Sequence, residues 1–194
     1  MREWTTYTFS IEGVSPILMH KFNGQEEEKR ISELPHAEQA EYHAYHAYRT
    51  AEGNLGIPNT WIRGCLIDTF IDAAPSKAKQ KTKQRVSPRI RVEPMMLTIE
   101  PQTHEVSEVQ MQIGCLPYDI QVDNIPTPKT GRGGTRQIVV RPLIRKWKTT
   151  GKLITGLDES REMEKWLAQA GEEIGIGANR INGYGRFKVT AFKQ

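Results

Sequence analysis

The fold of this 194-residue chain is best indicated by the stretch Gly175-Ile176-Gly177-Ala178-Asn179-Arg180-Ile181-Asn182-Gly183-Tyr184-Gly185-Arg186-Phe187, which follows a helical pattern and leads into a short alternating strand. Its four glycines permit the backbone angles of tight turns and let another group approach the main chain closely. Two interpretations are open at this point. The helix ends at Gly175 or Gly177 and a turn leads into the last strand, or N–H groups and arginines converge there on a phosphate backbone.

Basic residues are segregated along the chain. The formal net charge is only +4, yet two segments without any acidic residue hold 15 of the 27 lysines and arginines, seven in 75–92 and eight in 124–157. Solvated loops also collect lysines, but two acid-free segments predict a strongly positive face that suits a polyanion. We therefore expect a nucleic-acid interface. Together with the glycine-rich end, its expected residues are Lys77, Lys79, Lys81, Lys83, Arg85, Lys129, Arg132, Arg136, Arg141, Gly175, Gly177, Arg180, Gly183, Tyr184, Gly185 and Arg186.

Length and composition limit the protein class. A chain of 194 residues predicts a single domain, 1–194, with loop insertions at about 75–90 and 124–140. Cys65 and Cys115 lie in apolar patterns without metal-ligand spacing, which predicts buried thiols in a reducing compartment. The sequence has neither a signal-peptide layout nor an apolar run of membrane-spanning length, so we expect a cytoplasmic protein without a membrane partner.

Hydrophobic patterning predicts an α+β architecture. Alternation indicates strands over 5–18 (with a bulge or bend near Gly13), 90–100, 106–113, 118–125, 137–144, 147–154 and 186–192. The segment 36–50 is compatible with a helix or, equally, with an excursion from the core. Helices are expected over 61–74 with an Asn59 or Thr60 cap, and from an Asp158 cap to about Glu173. Polar composition predicts loops over 23–34 and 76–85, the second basic and flexible. The order predicts a ferredoxin-like antiparallel sheet, as in RNA-recognition motifs, with helices on one face and a projecting basic β-hairpin.

The same layout resembles the RAMP superfamily (repeat-associated mysterious proteins) of CRISPR systems, and also uncharacterised phage and prophage proteins. The residues that carry the resemblance are Gly56-Ile57-Pro58, Trp61-Ile62-Arg63-Gly64-Cys65-Leu66 and the glycine-rich end, where Gly175, Gly177, Arg180, Gly183, Gly185 and Arg186 match the family's pattern. The resemblance implies a ferredoxin-like RNA-binding subunit or a processing nuclease.

Single strands suit this pattern better than a duplex, because the sequence has no recognition-helix motif and a sheet offers a groove for stacked bases. Arginines of the 126–141 hairpin are expected to insert between nucleotides, while the lysines of 77–85 cover the nucleic-acid strand. The candidates for base stacking, with core packing as the alternative, are Tyr42, Tyr45, Tyr48, Trp61, Trp147 and Tyr184.

Histidines carry the alternative interpretation as an enzyme. Metal-independent RNA cleavage needs a general base near a 2′-hydroxyl, for which His20, His43 and His46 are weak candidates. His43 and His46 also have the spacing of two metal ligands on a helix, but no third ligand follows a suitable pattern, so no metal and no cofactor is expected.

The main hypothesis is thus a non-catalytic protein that binds single-stranded nucleic acid, RNA rather than DNA. We expect it to assemble side by side along the strand, as a homo-oligomer or as a subunit of a ribonucleoprotein. The alternatives are an endoribonuclease of the same fold, and a phage structural or inhibitory protein that binds another protein.

Overall fold

The computed structural model describes residues 4–21, 24–100, 118–126, 136–158 and 160–194. These residues fold into two compact units. The first unit contains Met1–Ile17, Tyr48–Gln102 and Arg145–Gln194, and the second contains Leu18–Ala47 and Thr103–Ile144. The expectation of a single domain stays a prediction.

The described residues form a mixed helix and antiparallel-sheet structure, which confirms the α+β prediction. The strands are β1 (Thr5–Gly13), β2 (Ile17–Leu18), β3 (Gly56–Pro58), β4 (Ile90–Glu93), β5 (Met96–Thr98), β6 (Asp119–Pro126), β7 (Arg136–Ile144), β8 (Lys148–Thr155) and β9 (Phe187–Lys193). The helices are α1 (Gln25–Ser32), α2 (His36–Tyr45), α3 (Asn59–Ala73), α4 (Lys79–Val86) and α5 (Met163–Gln169). None of them is long and apolar enough to cross a bilayer, a finding limited to the described residues.

A four-stranded antiparallel sheet organises the first unit, with the strand order β4-β8-β1-β9. Its register is set by alternation, because Tyr7 and Phe9 of β1 are buried while Thr8 between them is exposed. The predicted irregularity of the first strand is present, as a register shift between Ser10 and Ile11 opposite β9. The expected strand over 186–192 is confirmed as β9.

Two helices cover the apolar face of this sheet. α3 packs against β4 and α5, and α5 packs against β9. Ile62, Leu66, Ile67 and Phe70 are all buried on α3. The helix ends at Ala73, two residues before Pro75, which cannot continue it. A short antiparallel pair, β3 with β5, adds Ile57 and Leu97, which face each other in register and are fully buried.

The predicted helix caps are wrong. α3 begins at Asn59 without a side-chain cap, and the Asn59 amide donates instead to the Val92 carbonyl at 2.7 Å. α5 begins only at Met163, after a 3₁₀ turn over Ser160–Glu162, so Asp158 does not cap it. After α5 a π-helical turn, Ala170–Ile174, carries the chain to Gly175. The prediction of one strand over 90–100 is also corrected, because the Glu93–Pro94 turn separates β4 from β5.

The second unit contains a three-stranded sheet of order β2-β7-β6 together with α1 and α2. β6 and β7 pair antiparallel from Asp119–Leu143 to Pro126–Arg136, and the projecting basic hairpin stays a prediction. Its tip, 127–135, lies outside the described residues, as does the strand expected over 106–113. Tyr118 is fully buried and its hydroxyl donates to the Ala44 carbonyl of α2 at 3.1 Å.

Two polar segments predicted as loops are helical. Gln25–Ser32 forms α1, whose Ile31 is 2% exposed, and Lys79–Val86 forms α4, whose Val86 is fully buried. Each helix is therefore fixed through one apolar side chain near its end. A single anchor gives no periodic pattern in the sequence, and for this reason both helices were missed.

Candidate nucleic-acid interface

The glycine-rich end closes upon the chain itself. Gly175, Gly177, Gly183 and Gly185 all have positive φ, between 71° and 85°. Gly175 ends the helical segment, so the helix-cap interpretation is confirmed. The Ile176 N–H donates to the Gly185 carbonyl at 2.9 Å, and the Gly185 N–H donates to the Pro16 carbonyl at 2.8 Å. Glycine at position 185 is thus required by contact with neighbouring backbone of the same unit.

Ser15 joins the end of β1 to this glycine-rich loop. Its Oγ donates to the Gly183 carbonyl at 2.7 Å and accepts the Arg186 N–H at 2.8 Å. The Val14 N–H adds a bond to the Arg186 carbonyl, also at 2.8 Å. The loop is therefore held on both sides and enters any complex already ordered.

The two arginines of this loop line a cavity together with carboxylates. Arg180 Nη1 is 3.3 Å from Asp68 Oδ2 on α3. Arg186 Nη1 is buried without a hydrogen-bond partner among the described residues. Both line a cavity of about 270 Å³ whose remaining lining residues are Asp68, Ile71, Asp72, Glu173, Ile174 and Ile181. Three carboxylates against two guanidinium groups make this cavity a poor phosphate site, so the loop's nucleic-acid role stays a prediction.

The basic segment 76–89 of the first unit presents lysines from a rigid element. Its order is a 3₁₀ turn at Ser76–Ala78, then α4, then a second 3₁₀ turn at Ser87–Arg89, so the expected flexible basic loop is wrong. The side chains of Lys77, Lys81 and Lys83 are exposed. Lys79 Nζ lies 3.2 Å from Asp72 Oδ1.

A polar sheet face lies opposite the helices of the first unit. The register places Glu93 beside Lys152, Lys152 beside Thr8 and Thr8 beside Lys193, in one row across all four strands. We call this surface the open face. Its charged residues are Arg91 and Glu93 of β4, Lys148 and Lys152 of β8, Glu12 of β1, and Lys188 and Lys193 of β9.

The open face carries five cations against two acids. Lys188 Nζ is 3.3 Å from Glu12 Oε2, and Lys148 Nζ is 3.4 Å from Glu100 Oε2. Both ion pairs are half-exposed and contribute little to stability, so a phosphate can displace the carboxylates. The Arg91 guanidinium lies 4.8 Å from the centre of the Trp4 ring, which is 45% exposed. Cations and one accessible aromatic ring thus share this surface.

The aromatic residues expected to stack on bases are partly core residues. Trp147 is 1% exposed and its Nε1 donates to the Ser15 carbonyl at 2.9 Å, so its proposed stacking role is wrong. Trp61 is half-buried and meets Tyr48 edge to face, with 5.2 Å between ring centres. Tyr184 is half-buried in the glycine-rich loop.

A second cavity adjoins the open face, with a volume of about 570 Å³. Its lining residues are Thr8, Glu93, Pro94, Met95, Thr150, Gly151 and Lys152. The turn that forms its wall is held by Asn59, whose N–H donates to the Met95 carbonyl at 2.9 Å. Met95 is nevertheless 83% exposed.

In the second unit, the candidate histidines separate into two groups. The rings of His20 and His43 are 5.7 Å apart. His46 stacks on Tyr42 with 3.6 Å between ring centres, and its Nδ1 bonds to the Tyr42 carbonyl. No group of three or more potential metal ligands occurs within the part of the chain that the structure describes.

A network of charges lies beside these rings. Glu27 accepts two hydrogen bonds from Arg30, at 2.6 and 3.0 Å, and one from the Tyr42 hydroxyl at 3.2 Å. The Arg30 hydrogen bond lowers the pKa of the Glu27 carboxyl, with the Tyr42 hydroxyl acting in the same direction. Glu27 is therefore an anion that orders Tyr42.

The hairpin contributes less free charge than its sequence indicates. Arg141 Nη1 is 3.0 Å from Asp123 Oδ2, and their side chains are only 14% and 23% exposed. Lys129 and Arg132 lie outside the described residues, and the side chain of Arg136 is not among those described. The 77–85 segment belongs to the first unit and the hairpin to the second. The strongly positive face expected from the two basic segments stays a prediction.

Comparison with known proteins shows similarity in structure alone. No model of a protein family matches the sequence, and no curated protein matches it. A chain in the cryo-EM structure of the Type III-B Cmr-beta bound to cognate target RNA matches with a TM-score of 0.62 and 8% identity, over 98% of this chain. The fold of the 194-residue chain is thus similar to that of a Cmr-beta chain. The crystal structure of Cmr6 from Pyrococcus furiosus has a TM-score of 0.49 and 10% identity, over 97% of this chain and 98% of that one.

The likeness concerns the fold alone. At 8% identity it shows the fold and no residue's role, and this chain spans 60% of the Cmr-beta chain's length. The residues that the sequence did not suggest are those of the open face, above all Lys152, Lys188 and Lys193. Their signal was the strand alternation itself, which places every second residue of β8 and β9 on one face.

Proposed function

We propose that this chain is a single-stranded RNA-binding subunit of a RAMP-like ribonucleoprotein. The observation that carries the proposal is the open face, where five cations and two acids lie on a rigid, solvent-accessible sheet. Phosphates of an extended strand gain most of their binding free energy from such cations through release of counterions. The fold likeness to a Cmr-beta chain, whose structure was determined bound to target RNA, supports the same proposal.

We further propose that the sheet of the first unit is ferredoxin-like. Two βαβ passages support this assignment: β1-α3-β4 and β8-α5-β9, with strand β8 between β1 and β4. This arrangement places helices on one face of the sheet and leaves the other for a ligand. Side-by-side assembly of several copies along one RNA strand belongs to this proposal, because one unit of this size covers only a few nucleotides.

The test is a binding titration with labelled single-stranded RNA, single-stranded DNA and duplex RNA at several salt concentrations. The triple substitution of Lys152, Lys188 and Lys193 by alanine is expected to weaken RNA binding at least about tenfold and to flatten its salt dependence. Lys165→Ala on α5 is the matched control, because Lys165 is exposed on a covering helix. Equal losses in both variants, or no binding by the wild-type protein at low salt, would refute the open-face interface.

A second candidate function, metal-independent RNA cleavage, is favoured by one observation. The 5.7 Å between the rings of His20 and His43 lets one act as general base and the other as general acid on a phosphodiester. Incubation with RNA in the presence of a chelator decides between the candidates. Shortened products that disappear in His20→Ala and His43→Ala, but persist in His46→Ala, would establish the nuclease.

A further inference from the structure

The cavity beside β4 and β8 has the size and rigidity of a ligand site. Its volume of about 570 Å³ lies within the usual range for small-molecule pockets. The wall is fixed by Asn59, which bonds to the carbonyls of Val92 and Met95 on either side of the turn. Beneath the floor, Gly151 packs against the buried core, since a Cβ there would lie 2.5 Å from Leu97 Cδ2 and 2.9 Å from Phe9 Cζ. The backbone that frames the cavity is therefore held by its own contacts.

The residues that line the cavity are of three chemical kinds. Met95 and Pro94 supply an apolar surface, and a methionine thioether packs well against a flat aromatic ring. Thr8 and Thr150 supply hydroxyl groups that donate or accept. Glu93 and Lys152 supply opposite charges from neighbouring positions of β4 and β8. Within the described residues, neither charged side chain forms an ion pair or a side-chain hydrogen bond.

A nucleobase with its own phosphate matches the apolar surface and both charges. Its ring faces are apolar, and its exocyclic amino group donates to a carboxylate, as cytosine N4 does to glutamate. The phosphate that follows is an anion for Lys152, with Lys193 two strands away in the same row. Uracil has no exocyclic amino group, so it would leave the Glu93 carboxylate desolvated and without a donor.

We propose that this cavity binds one unstacked nucleobase that carries an exocyclic amino group, and that it discriminates against uracil through Glu93. The proposal rests on the RNA-binding function proposed above and adds a base preference to it. In this arrangement Met95 covers the ring, Glu93 accepts from the amino group and Lys152 holds the phosphate. The rest of the open face binds the strand without regard to sequence.

Homopolymeric RNA tests the preference. Wild-type protein is expected to bind oligo-C and oligo-A about tenfold more tightly than oligo-U. Glu93→Gln should reduce that ratio to about twofold or less, because the amide donates as well as accepts. Glu12→Gln is the control, since it removes the other acid of the open face without touching the cavity. Equal affinities for the three polymers in the wild-type protein, or a ratio that survives in Glu93→Gln, would overturn the proposal.

A second measurement separates the cavity from RNA binding as a whole. In protein labelled at the methionine methyl groups, the Met95 resonance, assigned through Met95→Leu, is followed during titration with CMP and with UMP. CMP is expected to shift this resonance, and UMP to leave it in place. A Met95 resonance that CMP does not move refutes the cavity even if RNA binds. A CMP shift without any RNA binding refutes only the proposed function.

Discussion

A Cβ atom on Gly185 would lie 1.7 Å from the carbonyl oxygen of Ile176, a separation that no pair of non-bonded atoms tolerates. The two residues lie this close because the Gly185 carbonyl accepts a hydrogen bond from the Ile176 N–H. The glycine-rich end is thus a structural closure that attaches the last helix and β9 to the end of β1. Its glycines serve the chain's own packing.

This closure predicts unequal effects of two alanine substitutions. Gly185→Ala meets backbone at 1.7 Å and is expected to lower the free energy of unfolding by about 3 kcal/mol or more. Gly183→Ala has a similar φ of 82° but nothing within 4 Å, so about 1 kcal/mol of backbone strain is expected. Urea unfolding followed by tryptophan fluorescence gives both values. Equal losses would show that the contact with Ile176 is not formed.

Ser15 provides a second test of the same closure. Ser15→Ala leaves the Arg186 N–H and the Gly183 carbonyl without their partner, at an expected cost of about 2 kcal/mol. Ser10→Ala is the matched control, because among the described residues the Ser10 hydroxyl bonds only to Thr150, on the exposed sheet face. A cost of about 0.5 kcal/mol or less is expected there. If the two variants unfold at the same urea concentration, the bridging role of Ser15 is wrong.

The buried thiol of Cys65 predicts a pH dependence. Burial raises its pKa to about 12, and its Sγ donates to the Ala170 carbonyl at 3.1 Å. Because the pKa is higher in the folded than in the unfolded chain, the contribution to stability is complete below the unfolded value of 9.0 and declines as the pH rises towards 12. In a Cys115→Ser background, a disulfide reagent at pH 8 should therefore label native protein far more slowly than protein in urea.

The pH dependence of stability is tested with a second variant, Cys65→Ala. It removes the titrating group, so the decline in stability between pH 9 and 11 should become shallower. Rapid labelling of native protein at pH 8 would contradict the burial of Cys65.

Elements with a repeating hydrophobic pattern were predicted from the sequence, whereas helices fixed by a single buried residue were missed. β1, β8 and β9 follow from alternation, and α3 follows from Ile62, Leu66 and Phe70 at helical spacing. α4 has a single buried residue, Val86, so its lysines indicated a loop.

For the candidate site, the sequence located basic segments but not their surroundings. The carboxylates that face Arg180 and Arg141 come from Asp68, 112 residues away, and Asp123, 18 residues away. Pairings across such separations depend on register and packing, which no local pattern contains. The same reason explains why the row from Glu93 to Lys193 was not anticipated.

The helical state of α4 predicts how its lysines act on RNA. Lys81→Ala with Lys83→Ala is expected to reduce the slope of log affinity against log salt by about 1.4 if each lysine neutralises one phosphate of a single strand. Alanine favours helices, so the circular dichroism should stay unchanged. Lys165→Ala should alter neither quantity. An unchanged slope in the double variant would exclude α4 from the interface.

The pair Arg141–Asp123 determines which hairpin arginine can report on RNA binding. Because the pair is largely buried, Arg141→Ala leaves a carboxylate without its partner and should destabilise the protein by about 2 kcal/mol. Asp123→Ala should cost a similar amount, and the double variant less than the sum, with a coupling of about 1 kcal/mol or more. Thermal unfolding of the three variants measures this cycle. Additive losses would show that the two side chains do not interact, and Arg141 would again be a candidate phosphate ligand. With the coupling present, a loss of RNA affinity in Arg141→Ala reports on folding, and Arg132→Ala, in the sequence between β6 and β7, becomes the informative substitution.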